Sequence, residues 1–348
     1  MPKPTRRPAS RIRSVLLVED TLEEALLIQT LLEPMGARVT VAQDGIRGCQ
    51  LAENQEWDLV ITDLNLPGRG GAEVMEVSKR AYPDRPILVI TGYRGRLTPD
   101  VSGRADAVLS KPLERDMLLE AVEKAFAEGE ARREESPTSP ARRVMAVGAL
   151  PGDVELGCGG TLLVHANRGH RLGILVMCAG GGEEEVEARR AETERGAGLL
   201  GAELALAEPF TSEIPSERDM RRWLTTAVEE FQPDTLFTPS PHDVRESRLR
   251  THRAVSATPV PGLRKHYGYQ AATTTLQFQP SVFVEIEEQI ERKLRVLDAY
   301  RGTPDFRPHL QTNLAMAAAQ YWSRYVGYRM AEPLEVIPLG SAGGADGA

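Results

Sequence analysis

Two groups of residues in this chain carry side chains suited to chemistry. In the first, Glu19 and Asp20 close the apolar run VLLVED, Asp63 closes DLVITD, Thr91 closes ILVIT and Lys111 follows VLS. Each sits where an apolar strand should end, and in an open parallel sheet the carboxyl ends of the strands share one crevice. Carboxylates crowded there repel one another, and a hard divalent cation such as Mg²⁺ relieves the repulsion. An ammonium and a hydroxyl beside such a carboxylate suit phosphoryl transfer, where positioning and charge neutralisation supply most of the catalysis. The second group follows VGALPGDVELGCGG, residues 147–160, a small apolar strand running into a Gly-rich turn that opens a helix. This is the layout of an active-site loop in an α/β enzyme. Downstream, SPHD brings His242 and Asp243 to a strand end, and THRAV carries His252.

The elements that must position these residues alternate strand and helix, the pattern of doubly wound sheets. Strands are expected at SVLLVE, ARVTVA, DLVITD, PILVITG and DAVLS, and again at RVMAVGAL, RLGILVMCAG and DTLFTPSP. Thr21 and Glu24 have the spacing of a capping box at the first helix. YRGRLTPDVSGRA, where a fourth helix belongs, holds Pro99 and Gly103 and makes a poor helix. The fold class is α/β, in two domains: a flexible arm at 1–13, a first domain at 14–128, a linker at 129–141 within which Ser and Pro cluster, a second domain at 142–338, and a disordered tail at 339–348. In 348 residues, 41% apolar and 26% charged residues are ordinary for a globular chain, and no apolar run approaches the roughly 18 residues that cross a bilayer. A cytoplasmic protein with no membrane association is expected. A net charge of −8 argues against nucleic-acid binding, which rests on Lys and Arg neutralising phosphates. The three cysteines, Cys49, Cys158 and Cys178, lack metal or disulfide spacing and read as buried small hydrophobes. Trp322, Tyr325 and Tyr328, at helical spacing, read as core or interface.

Residues 14–128 resemble a CheY-like response-regulator receiver domain, a flavodoxin-like fold. The resemblance implies that Asp63 accepts a phosphoryl group from a histidine kinase, that Glu19, Asp20, Asp63 and the backbone carbonyl of Asn65 hold Mg²⁺, and that Thr91 and Lys111 bind the phosphoryl oxygens. One departure is Val108, which stands where the family has its switch aromatic. The fourth-helix face is the one receivers often use to dimerise, and a homodimer is left open.

Residues 142–338 resemble the PIG-L/LmbE-like N-deacetylases, a Rossmann-like zinc-hydrolase family, through the 147–163 loop, RGH, EARRAETERGAGLLGAE, PSPHD, THRAV, KLRVLDAYRGT and GYRMAEPL. A catalytic zinc needs about three protein ligands, an open position for water and a base. Here Leu150 replaces the first histidine and Gly152 the aspartate base, while Leu249 and Thr251 replace a histidine and an aspartate beside an inserted VRESRLR. Asp153 and His252 remain as a vestigial zinc site. The implied function is a phosphorylated response regulator whose degenerate output domain binds a protein or small molecule and holds no zinc. The alternative is a phosphorylation-gated zinc N-deacetylase with a metal site rebuilt from His242 or Asp243. Arg190 matches an arginine the family uses near its substrate, with Arg189 equally placed by spacing. GCGG reads as close helix-to-sheet packing.

Overall fold

The computed structural model describes residues 13–55, 57–92, 103–135, 142–300, 310–325 and 329–339. The chain divides into two compact units, Met1–Thr138 and Ser139–Ala348.

In the first unit the elements run β1 (Arg13–Val18), α1 (Leu22–Leu32), β2 (Ala37–Ala42), α2 (Gly45–Asn54), β3 (Leu59–Asp63), α3 (Gly71–Ala81), β4 (Ile87–Thr91), β5 (Ala107–Ser110) and α4 (Arg115–Glu135). The sheet order is β2-β1-β3-β4-β5 with every pair parallel. Both sheet faces are covered, as a parallel sheet requires. Leu17, Ile61 and Ile90 meet Ile28 of α1 and Val122 and Phe126 of α4 on one face, while Val18, Val60 and Val89 meet Cys49 of α2 and Val74 of α3 on the other. Val108 is half-buried against this second cluster, paired in register with Val89.

Two local expectations change. Thr21 is the extended N-cap of α1, but its side chain makes no capping bond, and Glu24, the other half of the expected box, pairs with Lys111. Residues 129–135, placed in the linker by composition, are helical, since α4 runs on to Glu135. Arg132 explains the extension: it pairs with Glu128 one turn back, at 3.4 Å, and with Asp106 at the start of β5. Residues 1–12, 93–102, 136–141 and 340–348, which include most of the arm, the fourth-helix segment and the tail, lie outside the described residues.

The second unit comprises β6 (Arg143–Gly148), α5 (Asp153–Asn167), β7 (Arg171–Val176), α6 (Val186–Leu200), β8 (Glu203–Leu206), α7 (Glu217–Phe231), β9 (Thr235–Pro239), α8 (Glu246–Ser256), β10 (Lys265–Tyr269), β11 (Val282–Glu285), α9 (Ile290–Asp298), α10 (Thr312–Ser323) and β12 (Ala331–Val336). Its sheet order is β11-β12-β10-β9-β6-β7-β8, parallel from β10 to β8, with β12 antiparallel to both β10 and β11. Strand order reverses at β6, so the loop 149–152 leaves the sheet at the switch point where α/β folds place ligands. Val154 and Leu162 of α5 pack on one face with Ala197 of α6, and Met220 and Leu224 of α7 pack on the other with Val255 of α8.

The GCGG turn does more than pack. Helix α5 breaks at Cys158, where φ is −142° and ψ 17°, and the N–H groups of Gly160 and Thr161 donate to the Glu332 carboxylate of β12 at 2.8 and 2.6 Å. All three cysteines are free and buried. Trp322 is half-buried between Phe278 and Phe283 with Tyr325 exposed beside it, and Tyr328 lies outside the described residues.

Candidate functional site

In the first unit the carboxyl ends of β1, β3 and β4 deliver Glu19, Asp63 and Thr91 to one crevice, all three buried. Lys111, just beyond β5, reaches in between them. Its Nζ donates to Asp63 Oδ2 at 2.6 Å and to Glu19 Oε2 at 2.9 Å, and it also pairs with Glu24 of α1. The remaining oxygens are held by the backbone: Thr21 N–H donates to Glu19 at 3.2 Å and Asn65 N–H to Asp63 Oδ1 at 3.0 Å. Burial raises the Glu19 pKa above the usual carboxylate value, opposed by its bond to Lys111. Burial also disfavours the Lys111 cation, yet the bonds to Asp63, Glu24 and Glu19 outweigh it and hold the lysine more basic than usual.

Carboxylate oxygens of Glu19, Glu24 and Asp63 all lie within 4.8 Å of one another. Three carboxylates facing one ammonium leave an excess of negative charge that a hard divalent cation would neutralise. Asp20 and Asn65 are exposed beside this cluster. Thr91 anchors the lysine through its backbone carbonyl, which accepts from Lys111 N–H at 3.0 Å. Glu24 is the participant that sequence reasoning missed. The same i, i+3 spacing from Thr21 that suggested a capping box puts it on the first turn of α1, above the crevice.

The second unit holds a different arrangement. Asp153 starts α5 beneath the 149–152 loop, and Arg248 of α8 lies directly on it. Arg248 Nη2 and Nε donate to Asp153 Oδ1 at 2.6 and 3.1 Å, with both side chains almost fully buried. The other oxygen, Oδ2, accepts from Leu150 N–H at 3.1 Å. Arg248 Nη1 donates to Thr273 at 2.6 Å and lies 3.8 Å from Asp243 Oδ1, which also accepts from Thr273 at 2.6 Å. Both Asp153 oxygens are thus committed to donors, and a fixed guanidinium faces the carboxylate that a zinc ion would need. The donor set does not fit zinc.

Among the described residues, His252 and Asp153 share no hydrogen-bond partner. His252 Nδ1 is 2.9 Å from the Pro239 carbonyl, and Ser256 lies 3.3 Å from its Nε2. His242 is partly exposed, 3.7 Å from Glu335, so it and Asp243 are held by different neighbours. Gly152 has φ +89°, a left-handed conformation that suits glycine, and a Cβ there would lie 2.8 Å from the Leu310 side chain. Of the two adjacent arginines, Arg189 turns inward, donating to Ala179 O at 3.1 Å and Glu185 at 2.9 Å, whereas Arg190 pairs with Glu208 near the surface. Arg248 sat unrecognised in the inserted VRESRLR. Its signal was the i, i+4 spacing from His252, which puts a basic residue on the helix that bears the histidine expected as the last zinc ligand.

The family model described as the response regulator receiver domain matches residues 15–123. That described as GlcNAc-PI de-N-acetylase (PIG-L) matches residues 145–259. The chain is 30% identical over 141 residues to the transcriptional regulatory protein ZraR of Klebsiella oxytoca, covering 39% of this chain and 31% of that protein. It is 30% identical over 148 residues to the sensor histidine kinase GacS of Pseudomonas protegens, covering 40% of this chain and 16% of that protein. The chain therefore spans less than a third of the length of these two relatives. Among solved structures, the N,N'-diacetylchitobiose deacetylase of Pyrococcus horikoshii is 22% identical with a TM-score of 0.48, covering 62% of this chain and 92% of that one. Among the described residues, no helix is long and apolar enough to cross a membrane.

Proposed function

From a chain that joins a response regulator receiver domain to a PIG-L domain, we propose a cytoplasmic two-component response regulator whose second domain is catalytically inert and acts by binding. A histidine kinase is the phosphoryl donor and Asp63 the acceptor. The contrast between two aspartates carries this reading. Asp63 is held by a lysine among carboxylates, an arrangement open to a metal ion and a phosphoryl group, whereas Asp153 is neutralised by a buried arginine.

In the receiver, Glu19, Asp20, Asp63 and the Asn65 carbonyl would hold Mg²⁺, whose charge would offset that of an incoming phosphoryl group. Lys111 is already positioned on Asp63 to pair with a phosphoryl oxygen, and Thr91 supplies a hydroxyl from the adjacent strand end. Phosphorylation adds about 1.5 to 2 negative charges at Asp63 and so draws Lys111 away from Glu19 and Glu24, freeing the start of α1. Val108 is half-buried against the sheet core and has no ring to rotate, so readout passes through this lysine-centred network. In the second domain, loss of the base and commitment of Asp153 to Arg248 remove the means to activate water.

Two measurements test the reading. Acetyl phosphate with Mg²⁺ should label the wild type and leave Asp63→Asn unlabelled; equal labelling of both refutes Asp63. Purified wild type should hold far less than one zinc per chain and leave N-acetylglucosamine conjugates intact. Stoichiometric zinc with turnover, both lost in Asp153→Ala, would establish a rebuilt hydrolase.

A further inference from the structure

The second unit contains a cavity of about 210 Å³, apart from the Asp153–Arg248 pair, between α5, α10 and the segment that follows β10. Its walls are apolar and small. Ala315, Ala318 and Ala319 of α10, at i, i+3 and i+4, face it along with Leu156 and Leu314. Small side chains at that spacing leave a hollow where larger ones would close it. The opposite wall is fixed by contact, since a Cβ on Gly157 would fall 2.8 Å from the Gln270 carbonyl and 2.2 Å from the Tyr269 ring.

Three polar side chains line this cavity, Gln270, Lys293 and Glu332, and both Glu332 oxygens already accept hydrogen bonds. Trp322 Nε1, a donor only, lies 2.7 Å from the Gln270 side chain, so the amide oxygen must face the indole and the NH₂ points the other way. That NH₂ has no hydrogen-bond partner among the described residues. Lys293 Nζ donates to Leu156 O at 2.6 Å and to Glu332 at 2.5 Å, which leaves its third proton. Its charge is matched by Glu332, whose carboxylate also accepts from Gly160 and Thr161. A bound anion would therefore meet no unpaired positive charge and would pay the cost of burial unrelieved. A neutral acceptor can instead take up the donor capacity that Gln270 and Lys293 have left.

Volume sets the size. An apolar cavity of about 150 Å³ takes up benzene, and one of this size admits a slightly larger molecule. We propose that this cavity binds a small neutral ligand with an apolar body little larger than a benzene ring and one carbonyl group, such as an amide or ketone. The wall residues Ala271 and Ala272 run directly into Thr273, which accepts from Arg248, so an occupied cavity bears on the chain that holds the buried pair.

This assignment deepens the reading of the second domain as a binding module and rests on it, but its test needs neither phosphorylation nor zinc. A failure here therefore leaves the Asp63 labelling and zinc results standing, and the reverse also holds. The full chain is titrated with 4-fluorobenzamide, fluorobenzene and 4-fluorobenzoate, each followed by ¹⁹F NMR. Saturable binding of the amide is expected, with fluorobenzene about tenfold weaker and the benzoate weaker still. Ala318→Phe, at an exposed position on the rim, should weaken the amide at least tenfold while circular dichroism stays native. Gln270→Glu, which keeps an oxygen for Trp322 and removes the donor, should weaken it about tenfold. Unchanged affinity in both variants, preference for the benzoate, or no saturable binding of the amide at millimolar concentration overturns the proposal.

Discussion

Replacing Arg248 by alanine should strand the Asp153 carboxylate in the interior. Arg248 is 1% exposed and Asp153 2%, and three bonds of 2.6 to 3.1 Å join the guanidinium to Asp153 and Thr273. Breaking a buried pair from one side costs about 3–5 kcal/mol, because the remaining charge keeps its desolvation penalty and loses its partner. For a unit of this size that corresponds to a fall in Tm of roughly 6 to 20 °C. Urea unfolding in a Trp57→Phe background would report on the second unit, since Trp223 and Trp322 both lie there. A double-mutant cycle separates the charge effect from lost packing: Asp153→Ala in the Arg248→Ala background removes the stranded carboxylate and should recover about 2 kcal/mol relative to the summed single losses. If Arg248→Ala costs under about 1 kcal/mol, or if the two losses simply add, the arginine is not the resident counter-charge of Asp153 and the case against zinc weakens with it.

Acid–base titration gives a second test. Burial lowers the His266 pKa to about 4, with His252 adding to the effect, and raises that of Glu155 to about 7, against a 2.6 Å bond from Tyr300. His266, depressed from 6.5, gives stability present at neutral pH and lost as pH falls toward 4, whereas Glu155, raised from 4.5, gives stability present below 4.5 and lost as pH rises through 7. The two slopes oppose each other between about pH 4.5 and 6.5. Glu155→Gln should therefore expose a loss on acidification approaching about 1.4 kcal/mol per pH unit, and an unchanged stability–pH curve would contradict the burial of these groups. In the receiver, Asp20→Asn should weaken Mg²⁺ binding by at least tenfold in calorimetry, and Glu24→Gln by less, since Glu24 is committed to Lys111; the reverse order would make Glu24 the ligand. Leu150→His with Gly152→Asp should not recover zinc, because Arg248 stays on Asp153 and residue 152 has φ +89° against Leu310. Only further addition of Arg248→Ala should let metal analysis find zinc above the wild-type level, and equal uptake by the double and triple variants would count against the arginine's role.

The parts of this protein that were legible in its sequence are those set by local pattern. Strand ends follow from apolar runs that stop at an acid or a hydroxyl, so the sequence alone places Glu19, Asp63 and Thr91 together. What escaped depends on partners distant in the chain. Glu24 has the spacing of a capping residue, and only the position of Lys111 makes it an ion-pair partner. Arg248 lies 95 residues from Asp153, and nothing local marks an arginine as buried. Arg189 and Arg190 differ by one helical step of about 100°, which spacing cannot orient without knowing which face of α6 meets the sheet. Helix α4 outran its expected end because Arg132 finds Asp106, a contact that composition does not record. The cavity had a faint signal in three alanines at helical spacing, but its donors belong to a glutamine and a lysine that the sequence leaves unremarkable.

The second domain can be understood through its charge. An aspartate almost fully buried at the start of a helix needs a cation nearby. The resemblance to zinc deacetylases implies that a metal ion once met that need, held by histidines and flanked by an aspartate base. Here the histidine is Leu150, the base is Gly152, and the cation is a guanidinium built into the chain. On the proposed reading, the exchange keeps Asp153 neutralised and would remove reactivity for two reasons. A guanidinium offers no open coordination position for water, and its protons fill the lone pairs through which a metal would bind. It also makes the loss hard to reverse by single steps. Restoring a ligand while Arg248 remains adds a donor without freeing Asp153, and removing Arg248 first leaves a buried charge with no partner. On the proposed reading, a domain caught between these costs retains its architecture as long as the arginine stays, which leaves its surfaces and the cavity lined by Gln270 and Lys293 for recognition rather than hydrolysis.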